Sequence, residues 1–394
     1  MTDVPVVIVG AAMGGLRTAE AVRRAGYTGP LQLIGDEVHA PYNRPPLSKD
    51  VLSAGVTHEA VAFPSRAETA DVEWMLGSPV LSADLTANTV TTAAATFPFR
   101  ALVVATGLRP RRLPFPELAG RHAIRSLDDA MALRDELVPG ARVTVIGSGF
   151  LGCELASTAS KLGCTVTVVT PSVEPMIRPL GELLAHELRV RLESEGVTFA
   201  RGATVASIDG DARVSGVTLG DGSVIPSDVV IEAIGSDCND GWLEGSGLDL
   251  SDGVLADNAL RAIGADGPRE DVYVVGDIAR FPNPMFDDVP RRIEHWNIPT
   301  DTGKRAGAVL GGWLAGDDTA ANQVFAPMPS FWSNQFDIKL QAYGLPGLAD
   351  DVTILEGDLS GEVAVGYHRA GKLVGVVGVG LKAALLKYRQ QIAG

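Results

Sequence analysis

The sequence predicts an α/β protein with two Rossmann-type domains and a smaller α+β domain at its C-terminal end, and three observations predict it. An apolar run, a glycine-rich turn and a helix-spaced segment follow one another at residues 4–25 and again at 142–162. Each copy leads into a second apolar run, at 31–34 and at 165–169. From about residue 321 aromatic residues and alternating runs replace that pattern.

Residues 4–9, Val-Pro-Val-Val-Ile-Val, read as a strand buried on both faces, because no polar residue interrupts them. Residues 15–25 have helical spacing, with Leu16, Ala19 and Val22 on one side and Gly26 as the C-terminal stop. The motif returns as a strand at 142–146, a helix at 150–162 ended by Gly163, and a strand at 165–169. A βαβ motif present twice predicts two dinucleotide-binding domains in one chain. The proline-rich passage Arg109–Pro116 between them reads as a linker or domain crossover. Phe325, Phe331, Trp332, Phe336 and Tyr343, followed by the alternating run Val363–His368, mark a third, smaller domain.

The totals agree with this division. At about 150 residues per domain, 394 residues make two or three domains, and 46% hydrophobic residues supply their cores. A net charge of −15 argues against broad nucleic-acid binding and for a soluble cytoplasmic protein. Cys153, Cys164 and Cys238 are too few and too irregular for a disulfide framework, and no Cys-x-x-Cys occurs. The opening Met1-Thr2-Asp3-Val4-Pro5 lacks the pattern of a signal peptide. Leu373–Leu386, interrupted by Lys382, falls short of the roughly 20 apolar residues of a membrane span. The six histidines, at 39, 58, 122, 186, 295 and 368, have no metal-ligand spacing, so no metal site is expected.

The chemistry lies in the turns. Gly147-Ser148-Gly149-Phe150-Leu151-Gly152 follows a strand and opens a helix. Its first glycine permits the turn, its second lets backbone approach a pyrophosphate, and its third packs helix on strand. The first copy, Gly10-Ala11-Ala12-Met13-Gly14-Gly15, has Ala12 at the middle position. Asp36 or Glu37 ends the next strand, where a carboxylate would hold a ribose. Thr170 takes that place in the second copy, which leaves the choice between NADH and NADPH open; Arg178 is the nearest following arginine. Two further strands end in Thr106-Gly107 and in Gly276-Asp277, whose carboxylate suits the ribityl hydroxyls of FAD.

At this point the chain resembles the FAD-dependent, NAD(P)H-dependent ferredoxin reductases that serve bacterial haem monooxygenases and ring-hydroxylating dioxygenases. The segment from Gly35-Asp36-Glu37 through Pro41-Tyr42-Asn43-Arg44-Pro45-Pro46-Leu47-Ser48-Lys49 carries most of the resemblance, with Ala105-Thr106-Gly107, Gly276-Asp277, Glu294-His295-Trp296 and Phe331-Trp332-Ser333-Asn334-Gln335. It implies a glutathione-reductase-like fold: an FAD domain made of 1–112 and 236–320, an NAD(P) domain over 113–235, and a C-terminal domain over 321–394 that lines the flavin pocket. It implies that Gly10, Gly14, Gly15 and Asp36 hold the adenosine end of FAD. Arg44, Lys49, Val80, Thr106, Gly107, Arg134, Gly276, Asp277 and Trp296 serve the rest of the flavin. Gly147, Gly149, Gly152, Thr170 and Gly235 serve the nicotinamide dinucleotide. Lys49, Glu154 and Trp296 are the expected catalytic residues, Glu154 toward the nicotinamide and Trp296 beside the isoalloxazine ring.

The chain departs from the family at Ala12, at 297–302, where Pro299 is expected to delay a helix, and at Cys238, where proline is usual. Residues 41–49 hold no cysteine, which separates the chain from the disulfide reductases of the superfamily, and Cys153 is expected to be inert packing. The implied reaction passes hydride from NADH, or NADPH, to FAD and single electrons to an iron–sulfur ferredoxin. Arg109, Arg111, Arg112, Arg291, Arg292, Lys304 and Arg305 are the candidates for a basic docking face. The alternatives are a reductase of rubredoxin, a quinone or monodehydroascorbate, and a redox-signalling flavoprotein resembling apoptosis-inducing factor.

Overall fold

The first apolar run forms a strand, β1 (Val6–Val9), with all four residues buried. A helix, α1 (Met13–Arg24), and a second strand, β2 (Leu31–Ile34), follow it. The helix begins two residues before the predicted start, because Gly14 and Gly15 lie within its first turn. The computed structural model describes residues 4–394; residues 1–3, part of the opening read as carrying no signal peptide, lie outside the described residues.

The chain divides into two compact units. The first comprises Met1–Asn43, Val61–Arg109 and Cys238–Pro329. Its main sheet has six strands in the order Arg261–Gly264, Gly267–Val274, Ala101–Val104, β1, β2, Glu73–Met75. β1 runs parallel to both neighbours, Val6 opposite Leu31 on one side and Ala101 on the other. The strands predicted over 101–107 and 272–277 end at Val104 and Val274, so both glycine turns lie just beyond strand ends. The same unit contains a three-stranded meander, Val80–Asp84, Thr89–Thr92 and Thr96–Pro98.

α1 packs against a long helix, Ile298–Ala315, through glycines spaced four residues apart. A Cβ on Gly307 would lie 2.5 Å from the Ala21 Cβ and 2.7 Å from the Thr18 carbonyl oxygen, and one on Gly311 would lie 2.3 Å from the Ala25 Cβ. With Gly303 they form a stripe that lets the two backbones approach closely. Pro299 stands in the first turn of this helix, which starts at Ile298. The expected delay is therefore corrected: the first amides of a helix have no partner inside it, so a proline there forfeits no hydrogen bond.

The second unit comprises Arg44–Ala60, Pro110–Asp237 and Ser330–Gly394. It repeats the motif as β3 (Arg142–Ile146), α2 (Phe150–Lys161) and β4 (Thr165–Thr170), then continues with α3 (Ile177–Ser194) and β5 (Thr198–Arg201). Its sheet, ordered β5, β4, β3, Val229–Glu232, Arg121–His122, is parallel throughout. Ile208, Val214, Val217 and Leu219 of a second meander form one buried cluster with Ile146, Val169 and Val230 of that sheet. The late aromatic region belongs to the same unit. It forms an antiparallel sheet ordered Ser330–Gln335, Ile338–Gly344, Lys372–Val379, Val363–Arg369, Asp351–Gly357, covered by the helix Lys382–Ala393. The buried Tyr367 hydroxyl ties this sheet to α3 by donating to the Leu180 carbonyl at 2.6 Å. No helix among the described residues is long and apolar enough to cross a membrane.

Candidate functional site

The two glycine turns are built alike. Gly10 ends β1 at φ +116° and Gly147 ends β3 at φ +105°, a region that side chains disfavour. A Cβ on Gly10 would lie 2.2 Å from the Ala105 carbonyl oxygen, and one on Gly147 would lie 2.3 Å from that of Ala233. A Cβ on Gly15 would lie 2.0 Å from the Gly10 oxygen, and one on Gly152 2.1 Å from the Gly147 oxygen. First and third positions are thus closed to any side chain. The middle position is different, because a Cβ on Gly149 would meet no atom within 4 Å. The space before it is not taken by protein, as a cradle for a ligand requires. Ala12, at the same place in the first turn, caps α1 with extended backbone (φ −105°) that alanine adopts freely. Both helices begin without a side-chain cap and without an acid in the first turn. Their leading amides remain open to a phosphate, so both turns fit a dinucleotide.

In the first unit several predicted residues gather around the Gly10–Gly15 turn. A Cβ on Gly35 would lie 2.5 Å from the Ala11 Cβ, which places the following Asp36 beside the turn. Asp36 is exposed, whereas Glu37 accepts a 2.5 Å hydrogen bond from the Tyr42 hydroxyl. Of the two candidates, Asp36 is the carboxylate open to a ribose. Gly276 donates its N–H to the Thr302 hydroxyl at 2.9 Å, and Thr300 donates to the Met13 sulfur at 3.0 Å. These bonds bring the Gly276-Asp277 turn, the start of Ile298–Ala315 and the first glycine turn together. Thr106 and Gly107 are clamped to Asn239: the Thr106 hydroxyl donates to its carbonyl at 2.7 Å, and the Asn239 amide returns a bond to the Thr106 carbonyl at 3.1 Å. Val80, half-buried, begins the meander two residues after Ser78 N–H bonds the Gly35 carbonyl at 2.7 Å. Trp296 is 40% exposed, with its indole N–H held by Asn43 Oδ1 at 3.0 Å.

The second unit holds Lys49 and Glu154 in contact. Lys49 Nζ lies 2.5 Å from Glu154 Oε2, with side-chain exposures of 19% and 8%. Ser48 donates to the same oxygen at 2.7 Å, and Ser333 of the C-terminal sheet donates to Oε1 at 2.8 Å. The Asn334 N–H adds a 3.3 Å bond. A carboxylate with this many donors is held in one orientation. Ser48 and Ser333 were not singled out in the sequence, although both lie in quoted segments. Arg44, at the head of the turn Pro45–Ser48, donates to the Arg125 carbonyl at 2.5 Å. Arg134, at the end of the helix Leu127–Arg134, lies across Gly55, where a Cβ would come within 2.9 Å of its guanidinium. Gly235 (φ +101°) accepts from the Arg111 N–H at 3.0 Å, two residues beyond the carbonyl that abuts Gly147. Thr170, the last residue of β4, accepts a 2.8 Å bond from the Ser148 hydroxyl within the glycine turn.

Cys153 is fully buried, and burial, reinforced by the neighbouring Glu154 charge, pushes its thiol far up, so no thiolate is available there. Most of the expected docking arginines are engaged within their own unit. Arg111 pairs with Asp237 at 2.8 Å, Arg112 with Glu117 at 2.9 Å and Arg291 with Asp287 at 2.5 Å. Arg305 is buried and holds the Gln323 carbonyl at 2.6 Å, so it leaves the candidate face; Lys304 is exposed. No group of three or more metal-ligating side chains occurs among the described residues.

Residues 4–303 match the family model described as pyridine nucleotide-disulphide oxidoreductase, and residues 330–394 match a reductase C-terminal model. The chain is 34% identical to the ferredoxin–NAD(+) reductase component of the anthranilate 1,2-dioxygenase system of Burkholderia cepacia, across 100% of this chain and 95% of that protein. It is 32% identical to rhodocoxin reductase of Rhodococcus erythropolis, covering 95% and 86% respectively. The reductase in the covalent putidaredoxin reductase–putidaredoxin complex superposes with a TM-score of 0.90 at 26% identity, covering 100% of this chain and 94% of that one. Duplicated turns, full-length matches and a common C-terminal sheet lead to one assignment: the chain belongs to the pyridine nucleotide-disulphide oxidoreductase family, among its FAD-dependent ferredoxin reductases.

Proposed function

We propose that this chain is an FAD-dependent NAD(P)H:ferredoxin oxidoreductase of the cytoplasm that supplies an oxygenase, a haem monooxygenase or a ring-hydroxylating dioxygenase, through an iron–sulfur ferredoxin. The observation that carries the proposal is the pair of equivalent pyrophosphate turns, Gly10–Gly15 and Gly147–Gly152, in one chain whose buried Cys153 thiol is closed to redox work. In this reading the FAD domain takes 1–112 and 236–320, the NAD(P) domain 113–235 and the C-terminal domain 321–394.

When bound, the nicotinamide and the flavin supply the hydride and single-electron chemistry. The chain's own residues bind and orient. Gly10, Gly14, Gly15 and Asp36 hold the adenosine diphosphate end of FAD, and Thr106, Gly107, Gly276 and Asp277 hold its ribityl part. Arg44, Lys49, Val80, Arg134 and Trp296 complete that site. Gly147, Gly149, Gly152, Thr170 and Gly235 hold the nicotinamide dinucleotide. Lys49 and Glu154 fix each other, so that a charged, hydrogen-bonding pair meets the nicotinamide in a set position.

The purified holoprotein tests this. It is expected to be yellow, to bleach within a second under anaerobic reduction by a nicotinamide nucleotide, and then to reduce a [2Fe–2S] ferredoxin in single-electron steps. A bleached protein that reduces a quinone and no ferredoxin overturns the partner assignment. A colourless protein that cannot be reconstituted with FAD overturns the whole.

A further inference from the structure

The inference rests on the nucleotide site just proposed and concerns which nucleotide it takes. In a Rossmann motif, a carboxylate at the end of the second strand binds the adenosine ribose hydroxyls and repels a 2′-phosphate. Here that position is Thr170, with Arg201 opposite it in the sheet and Arg178 in the helix that follows.

Three observations define the place. First, Thr170 is fixed at the glycine turn as an acceptor, from the Ser148 hydroxyl at 2.8 Å and from the Ser172 N–H at 3.2 Å. The hydroxyl is buried against the turn, so the position contributes by carrying no carboxylate. Second, β5 pairs with β4 so that Arg201 stands directly opposite Thr170. Its side chain is 43% exposed and leans over the loop after β4, giving one N–H to the Val173 carbonyl at 3.2 Å. That same nitrogen lies 3.6 Å from Glu174 Oε1, and Nε and Nη2 are the donors turned to neither. Third, Glu174 is the buried acid of that loop, and it already pairs with Arg189 at 2.7 Å and shares a 3.0 Å hydrogen bond with His186. Arg178, exposed in the first turn of α3, adds a further positive charge without an acidic partner among the described residues.

We infer that the end of β4 is a 2′-phosphate site, with Arg201 as the specificity-determining residue and Thr170 as the position that permits it, so that the enzyme uses NADPH at least as well as NADH. A guanidinium meeting a phosphate is a charge-assisted contact, for which a tenfold or larger gain in affinity is ordinary.

The test has a binding arm and a kinetic arm, both on the holoprotein. By calorimetry, adenosine 2′,5′-bisphosphate is expected to bind at least tenfold more tightly than adenosine 5′-monophosphate at low ionic strength. Arg201→Ala is expected to erase most of that gain, Arg201→Lys to keep part of it, and Thr170→Glu to reverse it. In flavin reduction, the ratio of kcat/KM for NADPH to that for NADH is expected to be one or more in the wild type, and to fall at least tenfold in Arg201→Ala and in Thr170→Glu. A ratio below one, or a bisphosphate gain that survives Arg201→Ala, overturns this inference and leaves the proposed function standing. If neither nucleotide bleaches a yellow protein, the proposed function fails, and this inference with it.

Discussion

Lys49 Nζ and Glu154 Oε2 are 2.5 Å apart, although 105 residues separate them in the chain, and both side chains are largely buried. Breaking a buried pair leaves one charge without its counter-ion, which typically costs about 3 kcal/mol or more. Lys49→Met is expected to destabilise the protein by about that amount in urea unfolding. Glu154→Gln keeps the shape and removes the charge; its single amide oxygen accepts from one of the two serine hydroxyls, and its NH2 faces the other. It is expected to retain FAD and to slow anaerobic flavin reduction by NADH and NADPH by about tenfold to a hundredfold. A stopped-flow rate within twofold of wild type removes Glu154 from the reaction.

The near-identity of the two glycine turns permits a paired experiment. Alanine at either first position needs positive φ and puts its Cβ within 2.3 Å of a carbonyl carbon or oxygen. Gly10→Ala is expected to purify largely without FAD. Gly147→Ala is expected to purify yellow, with KM for the nicotinamide nucleotide raised about a hundredfold, as a few kcal/mol of site distortion would produce. Flavin content by absorbance and KM by steady-state reduction distinguish the two. The opposite pattern exchanges the assignments of the two turns.

What the sequence made legible was local. The apolar runs and glycine spacings of both βαβ motifs are constraints on a few neighbouring residues, so they could be read along the chain and recur in the structure with ends shifted by at most two residues. The hydrogen bonds that hold Glu154 were not legible, because Ser333 lies 179 residues away and only the docking of the C-terminal sheet within its unit brings it close. Asp36 and Glu37 were indistinguishable until Tyr42 was seen to occupy Glu37. Arg201 likewise became relevant only through strand register, since nothing along the sequence ties it to Thr170. The stripe Gly303, Gly307, Gly311 is a period of four in the sequence, but its meaning depends on Thr18, Ala21 and Ala25, which lie far earlier in the chain.

That stripe makes a prediction against helix propensity. Replacing a mid-helix glycine by alanine ordinarily gains up to about 1 kcal/mol. At Gly307 the added methyl would lie 2.5 Å from the Ala21 Cβ, inside van der Waals contact, and the two helices would have to separate. Overpacking of this kind costs about 1–3 kcal/mol. Gly307→Ala is therefore expected to lower the urea midpoint, with a larger loss for Gly307→Val. A stabilised Gly307→Ala protein shows that the helices have room to spare.

Asp228 and Arg142 give the acid side of the stability profile. The Arg142 guanidinium makes two bonds to the carboxylate, at 3.0 and 2.5 Å, and its backbone N–H adds a third at 2.9 Å. These bonds, the side-chain pair foremost, hold the Asp228 carboxyl down at about 2. A carboxyl lowered in the folded state binds protons more readily once unfolded. Its stabilisation is thus complete above the ordinary carboxyl value of 3.8 and is lost as the pH falls toward about 2. Because the carboxylate is 43% exposed and the arginine 48%, solvent screening reduces the contribution to about 1 kcal/mol. Asp228→Asn is expected to be less stable than wild type by about that amount at pH 6, with the gap narrowing as the pH is taken from 4 toward 2. Urea midpoints of both proteins at pH 6, 4 and 3 check the sign, and a gap that widens in acid assigns the acid sensitivity to other carboxylates.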